Sequence, residues 1–252
     1  MHVVPIRVRD SSSPLFDYEV TNDKDEALNG SKSCYYPVSL LNVIRAIRKT
    51  EGRYAITGIP CFIKTLRLLS LNDSILNSRI KYTIGLICGG MKSANHATMI
   101  GWQLGINPGN LTAIDFRRKY QDRPAKYKIY QVWSNDDKER KRDSNDIYGT
   151  DFGAGYFKPK ACDYCDDVFN ETSDISIGDA WLPEYQNDPK GTTIVVVRNR
   201  DLLELIKFYL DIDALRLTKL HVDDVANSQS AGLRHRREAL SYRILKQTIK
   251  DN

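Results

Sequence analysis

Apolar positions along this chain fall into blocks of two kinds: compact runs that suit strands, and three-to-four-residue spacings that suit helices. Tyr54–Thr57 is a short apolar run, and Phe62–Ser70 beyond it places Ile63, Leu66 and Leu69, with Phe62 beside them, on one helical face. Gly58-Ile59-Pro60-Cys61 joins the two. Pro60 fits the first turn of a helix, where its missing N–H costs nothing. The plan then repeats: a strand over Ile80–Ile87, a loop at Cys88-Gly89-Gly90, and a helix over Ser93–Leu104. Each unit is strand, glycine-bearing turn and helix, with a cysteine at the C-terminal end of the strand. Ahead of both lies a helix over Ser39–Lys49, with Leu40, Leu41, Ile44 and Ile47 on one side.

The second half is richer in strands. Leu111–Phe116, Tyr127–Trp133, Asp174–Ile177 and Thr192–Val197 read as strands, whereas Asn135–Asp146 is charged and turn-rich and reads as an exposed connection. Asp201–Leu210 is a helix, and a last, basic helix runs from about 232 to 250. This alternation predicts an α/β fold: a mixed sheet, or sheets, flanked by helices, with cofactor turns at strand C-terminal ends. No repeat, low-complexity tract or linker rich in Pro, Gly or Ser interrupts it, so 1–252 reads as a single domain.

Composition narrows the class. With 41% apolar and 27% charged residues over 252 positions, the chain is neither disordered nor fibrous. The longest dense apolar run, Thr193–Val197, falls far short of the ~18 residues a membrane span needs. Met1–Asp10 carries no apolar stretch of signal-peptide length, so the expected location is cytoplasmic. Of the net charge of +5, +4 belongs to Arg234–Asn252, where six Lys/Arg face two acidic residues. Such a segment is expected to be a solvated face or a contact with an acidic partner or a cofactor phosphate. No nucleic-acid motif accompanies it, so nucleic acid is not an expected partner.

The candidate chemistry lies in the cysteines. Cys162-Asp163-Tyr164-Cys165 is a C-x-x-C, and Cys61 and Cys88 sit in glycine-bearing turns at strand ends. Thiols at helix N-termini are stabilised as thiolates by the macrodipole, and backbone close by can donate to cluster sulfides. Four thiolates from such turns suit a 4Fe-4S cluster. The same residues are open to other readings. They could be buried small hydrophobes, or a structural four-cysteine zinc site in a non-catalytic binding module, although such sites usually pair two C-x-x-C knuckles. Cys61 could be a reactive nucleophile, but no histidine shares a motif with it.

Read together, these segments resemble the coenzyme F-420 hydrogenase/dehydrogenase beta-subunit family. Thr57-Gly58-Ile59-Pro60-Cys61 is similar to its G-T-P-C-Q turn, and Ile87-Cys88-Gly89-Gly90-Met91-Lys92-Ser93 to its C-H-G-V-P-S loop. Phe116-Arg117-Arg118-Lys119 resembles its F-R-x-K segment. Cys162–Cys165 followed by Ser173-Asp174-Ile175-Ser176-Ile177-Gly178-Asp179-Ala180-Trp181 resembles C-x-x-C…A-D-I-S-x-G-D-x-W, and Ser33-Cys34-Tyr35-Tyr36-Pro37 resembles S-R/K-Y. The matches keep their order from about residue 30 to 181.

The resemblance implies an electron-transfer oxidoreductase, an iron–sulfur flavoprotein with one 4Fe-4S cluster and FAD. It would move electrons between a redox partner protein, such as hydrogenase or dehydrogenase subunits, and a small acceptor, with coenzyme F-420 a candidate substrate. Carried over, Cys61, Cys88, Cys162 and Cys165 are the cluster ligands, and Cys34 is left over as a packing residue or a flavin neighbour. Ser33, Tyr35, Thr57, Gly58, Gly89, Gly90, Ser93, Arg117 and Asp179 are the expected cofactor-binding residues. Lys64 is either a phosphate ligand or a solvated helix lysine, Trp181 either stacks on the flavin ring or, the favoured reading, packs on the core, and His96 is expected to be structural. The sequence departs from the family at Gly89, where the family has His, and at Phe62, where it has Gln. The longer members' N-terminal ferredoxin-like region and the family's S/D-G-G loop have no counterpart here.

Overall fold

A computed structural model describes residues 2–7, 14–136 and 138–251. The chain folds as two compact units interleaved in sequence: residues 1–52, 89–162 and 186–191 form one, and residues 53–88, 163–185 and 192–252 the other. It passes between them at several points rather than through one linker, which is why no linker composition marks the division.

In the first unit, strands β1 (His2–Arg7) and β2 (Phe16–Thr21) pair antiparallel. Asp23 then caps helix α1 (Lys24–Asn29) by accepting from the amides of Asp25 and Glu26. Helix α2 (Leu41–Lys49) buries Val43 and Ile47, while Leu41 of the expected apolar face is exposed. Strands β5 (Leu111–Lys119), β6 (Lys128–Ser134) and β7 (Glu139–Asp143) form an antiparallel three-stranded sheet. Their core is Ile114, Phe116, Tyr130 and Val132 packed on Ala97, Ile100 and Leu104 of helix α5 (Ala94–Gln103) and its end. Strand β7, Glu-Arg-Lys-Arg-Asp, corrects the expectation of a connection over Asn135–Asp146. It has no apolar alternation to announce it and exists because β6 offers a full register of backbone partners. Its charges suit an edge strand, where they discourage pairing with another chain.

The second unit holds the repeated strand–turn–helix plan. Strand β3 (Tyr54–Gly58) leads into helix α3 (Pro60–Asn72), then α4 (Ser74–Arg79), and strand β4 (Ile80–Leu86) returns parallel to β3. Pro60 stands in the first turn of α3 as the sequence predicts. Ile63 and Leu66 are buried, but Leu69 is exposed. Strand β8 (Ile175–Asp179) lies parallel to β4, and β9 (Thr193–Val197) runs antiparallel to β8, so the sheet is mixed and helix-flanked, as expected of an α/β fold. Helices α6 (Arg200–Asp211) and α7 (Val222–Asn227) follow.

The expected single C-terminal helix is broken. A short α8 (Ser230–Leu233) passes into one π turn (Arg234–Glu238) before α9 (Leu240–Asp251). Among the described residues no helix is long and apolar enough to cross a membrane.

One glycine explains how the loop before β8 reaches its place. Gly85 in β4 lies under that loop: a Cβ there would stand 2.4 Å from Ser173 Oγ and 2.5 Å from Asn170 Cγ. Asn170 adopts a left-handed φ of 56°, which Asn tolerates better than most residues, and its amide donates to the Gly58 carbonyl at 2.8 Å and the Leu86 carbonyl at 3.3 Å. The loop therefore straps the C-terminal ends of β3 and β4. Gly85→Ala is expected to cost about 2 kcal/mol, the usual penalty for overpacking a filled site. Gly109→Ala, whose Cβ meets nothing within 4 Å, should leave the urea midpoint in place. Equal midpoints for the two variants would show that the loop does not press on β4.

Candidate functional site

Because β3, β4 and β8 are parallel, their C-terminal ends lie at one edge of the second unit. Cys61 follows β3 in the first turn of α3 and is exposed, Cys88 follows β4, and Asp179 ends β8. The strap begins at the C-x-x-C. Cys88 N–H donates to the Val168 carbonyl at 3.0 Å, and Cys165 is half-buried three residues before Val168.

Between the sulfurs of Cys88 and Cys165 lies a residue that the sequence did not single out. Arg236, 2% exposed, donates from Nη1 to Cys165 Sγ at 2.7 Å and to the Asp167 carbonyl at 3.0 Å, and from Nη2 to Cys88 Sγ at 3.7 Å. Its Nε has no partner and, among the described residues, no carboxylate pairs with it. A buried guanidinium is costly unless an anion faces it. The groups that face this one are the two sulfurs and the Asp167 carbonyl.

The neighbouring arginines serve the same loop. Arg237 donates to Glu171 and the Asp166 carbonyl, and Arg243 Nε to the Asp163 carbonyl at 2.7 Å. The basic C-terminal segment is thus in part a clamp on residues 163–171, while Arg234, Arg237 and Lys246 are exposed. Gln229 extends the clamp, donating to the Asp179 carbonyl at 2.7 Å.

Cys162 closes a 3-10 turn (Lys160–Tyr164), its amide bonded to the Pro159 carbonyl, and belongs to the first unit. Among the described residues no three or more His, Cys, Asp or Glu side chains are gathered to hold a metal ion. What is assembled is a two-sulfur pair with a matched cation. Cys34 differs: it packs against the core of the first unit and burial pushes its thiol up to about 12, the behaviour of a packing residue.

The expected cofactor residues divide between the units. Thr57, Gly58 and Asp179 stand at the strand ends of the second, while Ser33, Tyr35, Gly89, Gly90, Ser93 and Arg117 belong to the first. There, Tyr35 meets Phe116 and Phe152 edge-on at 5.6 and 4.8 Å between ring centroids. Ser93 precedes α5 and its amide bonds to the Phe157 carbonyl at 2.8 Å; the Arg117 amide bonds to Asp115 Oδ1 at 2.9 Å. Gly90, at φ 141°, adopts a conformation that favours glycine, and around Gly89 a Cβ would meet nothing within 4 Å. Phe62 lies on α3 beside Gly58, whose hypothetical Cβ would be 3.4 Å from it.

Two lysines of the first unit were not among the expected site residues. Lys92, 2% exposed, donates to the Tyr156 carbonyl at 2.6 Å and lies 4.6 Å from the Phe152 ring centre. Lys128 lies over Tyr35, Tyr130 and Phe152 at 5.4 to 5.5 Å. Burial, reinforced by Lys158, depresses the Lys92 ammonium. His96 is fully buried in the same cluster, stacked on Phe116 with planes 3° apart, and neither ring nitrogen makes a hydrogen bond of good geometry. Burial first, then Lys92 and Lys128, push it down to about 4, with the Tyr35 backbone pulling weakly the other way. His96 is therefore neutral and structural, as expected.

Lys92 and Lys128 thus each set a cation against aromatic rings of the first unit. Lys64 is solvent-facing, 3.9 Å from Asp166, and Trp181 is 43% exposed, which corrects its expected place in the core. Trp181 follows the end of β8.

A family model describing the C terminus of the Coenzyme F420 hydrogenase/dehydrogenase beta subunit matches residues 51–222. No curated protein sequence matches the chain. Among solved structures, a chain from the xenon-derivatised F420-reducing NiFe hydrogenase complex of Methanosarcina barkeri is similar with a TM-score of 0.63 at 13% identity, over 96% of this chain and 79% of that one. At that identity the likeness speaks for the fold alone.

Proposed function

We propose that this chain, which belongs to the coenzyme F-420 hydrogenase/dehydrogenase beta-subunit family, is an electron-transfer oxidoreductase carrying a 4Fe-4S cluster and FAD. It moves electrons between a protein partner, of the kind that hydrogenase or dehydrogenase subunits represent, and a small acceptor such as coenzyme F-420. The observation that carries the reading is the buried Arg236 guanidinium set against the sulfurs of Cys88 and Cys165. Hydrogen bonds to ligand sulfurs accompany thiolate-held clusters, and the family match supports the same reading.

When bound, the cluster passes single electrons and the flavin exchanges electrons in pairs, so the two together couple one-electron to two-electron chemistry. The residues supply binding and charge. Cys88 and Cys165 are the ligands that Arg236 faces, Cys61 is offered from the first turn of α3, and Cys162 stands one turn before Cys165. The arginine clamp keeps residues 163–171 in place, so the C-x-x-C leads into a braced loop. Lys92 and Lys128 neutralise negative charge on a ring or phosphate of the flavin, and Tyr35 and Phe152 give its ring an aromatic surface. Ser33, Ser93 and Arg117 are the further polar candidates in that unit, and Thr57, Gly58 and Asp179 stand at the strand ends of the second unit.

Anaerobically purified full-length chain should be brown and hold iron and acid-labile sulfide at about four each. Stoichiometric zinc without sulfide would overturn the redox reading in favour of a structural four-cysteine site. FAD is tested separately by equilibrium dialysis of cluster-loaded protein. Saturable binding that Lys92→Ala weakens is expected, and absence of saturation would leave a cluster-only electron carrier.

A further inference from the structure

We propose that this chain associates with a second copy of itself, an outer apolar stripe of α6 in one copy packing on that of α9 in the other. Both helices belong to the second unit, and the contact does not depend on the cluster reading.

Helix α9 is amphipathic in the reverse of the usual sense. The side it turns to its own chain is polar: Arg243 donates to the Asp163 and His235 carbonyls, each at 2.7 Å, and Gln247 Oε1 accepts from the Tyr164 hydroxyl at 3.3 Å. Tyr242, Leu245 and Ile249 are 64%, 59% and 67% exposed, and their spacing of three and four residues sets them on one outward stripe. Helix α6 has an ordinary half-buried face at Leu202, Ile206 and Leu210. Beside it runs a second apolar stripe, Leu205, Phe208 and, at the helix cap, Ile212, which are 50%, 56% and 55% exposed. A surface helix normally turns one apolar face inward and charge to water, so these stripes have no role in the folding of the chain that carries them. Both stay exposed there, so neither covers the other within one molecule.

Charge selects which stripe meets which. Leu205-Phe208-Ile212 and Tyr242-Leu245-Ile249 each have the a, d, a spacing of a coiled-coil seam. Next to the seam, α6 carries Glu204 and Asp211 at g positions and α9 carries Lys246 at an e position. With the helices parallel and Leu205 level with Tyr242, Glu204 falls opposite Lys246, the g-to-e pairing that sets partner choice in coiled coils. Antiparallel self-pairing sets Glu204 against Asp211 in α6, and Lys246 against its own copy in α9. Parallel self-pairing sets Glu204 and Lys246 against the uncharged Tyr209 and Ser241. Only the mixed pair joins opposite charges. Lys207 holds Glu204 at 2.9 Å, an exposed pair that costs little to exchange. A two-fold axis between the copies uses the contact twice and covers all four stripes.

The test is the mass of the full chain across a concentration series, read by sedimentation velocity and light scattering. A monomer–dimer equilibrium is expected. Phe208→Asp and Leu245→Asp should each raise its dissociation constant about tenfold or more, the loss of an apolar anchor at an interface. Glu204→Lys and Lys246→Glu should each weaken the dimer roughly fivefold, since each puts like charges together at both contacts. The double variant Glu204→Lys/Lys246→Glu restores opposite charges and should return close to wild type. Both residues face solvent, so this series decides the matter even where an aspartate variant loses its fold, which circular dichroism reads. A chain that stays monomeric throughout would overturn the proposal, as would a dimer that the apolar variants leave intact or a double variant no tighter than the single ones. A monomer that floats with phosphatidylserine vesicles would assign the α9 stripe to a lipid surface and overturn it too.

Discussion

On the proposed cluster reading, Cys165→Ser is expected to lose the iron and to destabilise the protein by about 3–5 kcal/mol, the cost of leaving a buried charge without its partner. The serine hydroxyl can still accept from Arg236 Nη1, but it carries no charge, and the guanidinium is 2% exposed with no carboxylate to turn to among the described residues. Metal binding adds to the loss, since a site with several ligands couples metal release to unfolding. Urea unfolding with unchanged slope would read the stability and iron analysis the occupancy. Cys88→Ser, whose sulfur lies 3.7 Å from Nη2, should lose the iron too but leave Arg236 its closer partner. Cys34→Ser should keep its iron, because that thiol packs in the first unit's core. A Cys165→Ser/Arg236→Met double variant should be less unstable than the sum of its parts, as residues in direct contact are not additive. Full additivity would mean that the cation and the sulfur do not interact.

The second large effect is a dependence on pH. His96 has a folded-state value of about 4 and an ordinary value near 6.5, so the native protein holds it neutral while the unfolded chain protonates it first. Its contribution is therefore complete above pH 6.5 and is lost as pH falls from there toward 4. The loss runs at about 1.4 kcal/mol per pH unit and sums to roughly 3 kcal/mol. Below about 4 the native state binds the proton as well and this group adds no further change. His96→Phe keeps a flat ring on Phe116 and should flatten stability against pH in that window, once the common carboxylate titration is subtracted by comparison with wild type. Parallel curves for the two proteins would show that His96 is solvated or paired.

Much of the fold could be read along the chain. The spacing of Ile63 and Leu66, with Pro60 just inside the helix, is a local property of residues a few positions apart, and α3 begins where that pattern places it. The inner strands β3, β4 and β8 lie within a residue or two of their apolar runs, since burying a run between neighbours is what an inner strand requires, and the edge strand β9 follows its run as closely. Strand β7 was illegible because its five residues are all charged, and it is made by β6 rather than by its own preference. The cysteines at strand ends were legible for the same local reason as the helices: each lies in a glycine-bearing turn that has a composition of its own. Lys92 belongs to a recognisable motif, but nothing in its neighbours along the chain says that its ammonium will lie over Phe152.

Arg236 marks the division most clearly. By itself, the amino-acid sequence determined the helices and inner strands, the family, and which cysteines stand in turns, because periodicity and turn composition act over a few residues. In sequence Arg236 is one of six basic residues in a C-terminal stretch, no different from Arg234 or Arg243. Only the tertiary structure decided that it, and not its neighbours, is taken out of water beside Cys88 and Cys165. Burial and charge pairing across 71 and 148 residues depend on which loops the packing of the sheet brings together, and that packing is a property of the folded chain as a whole.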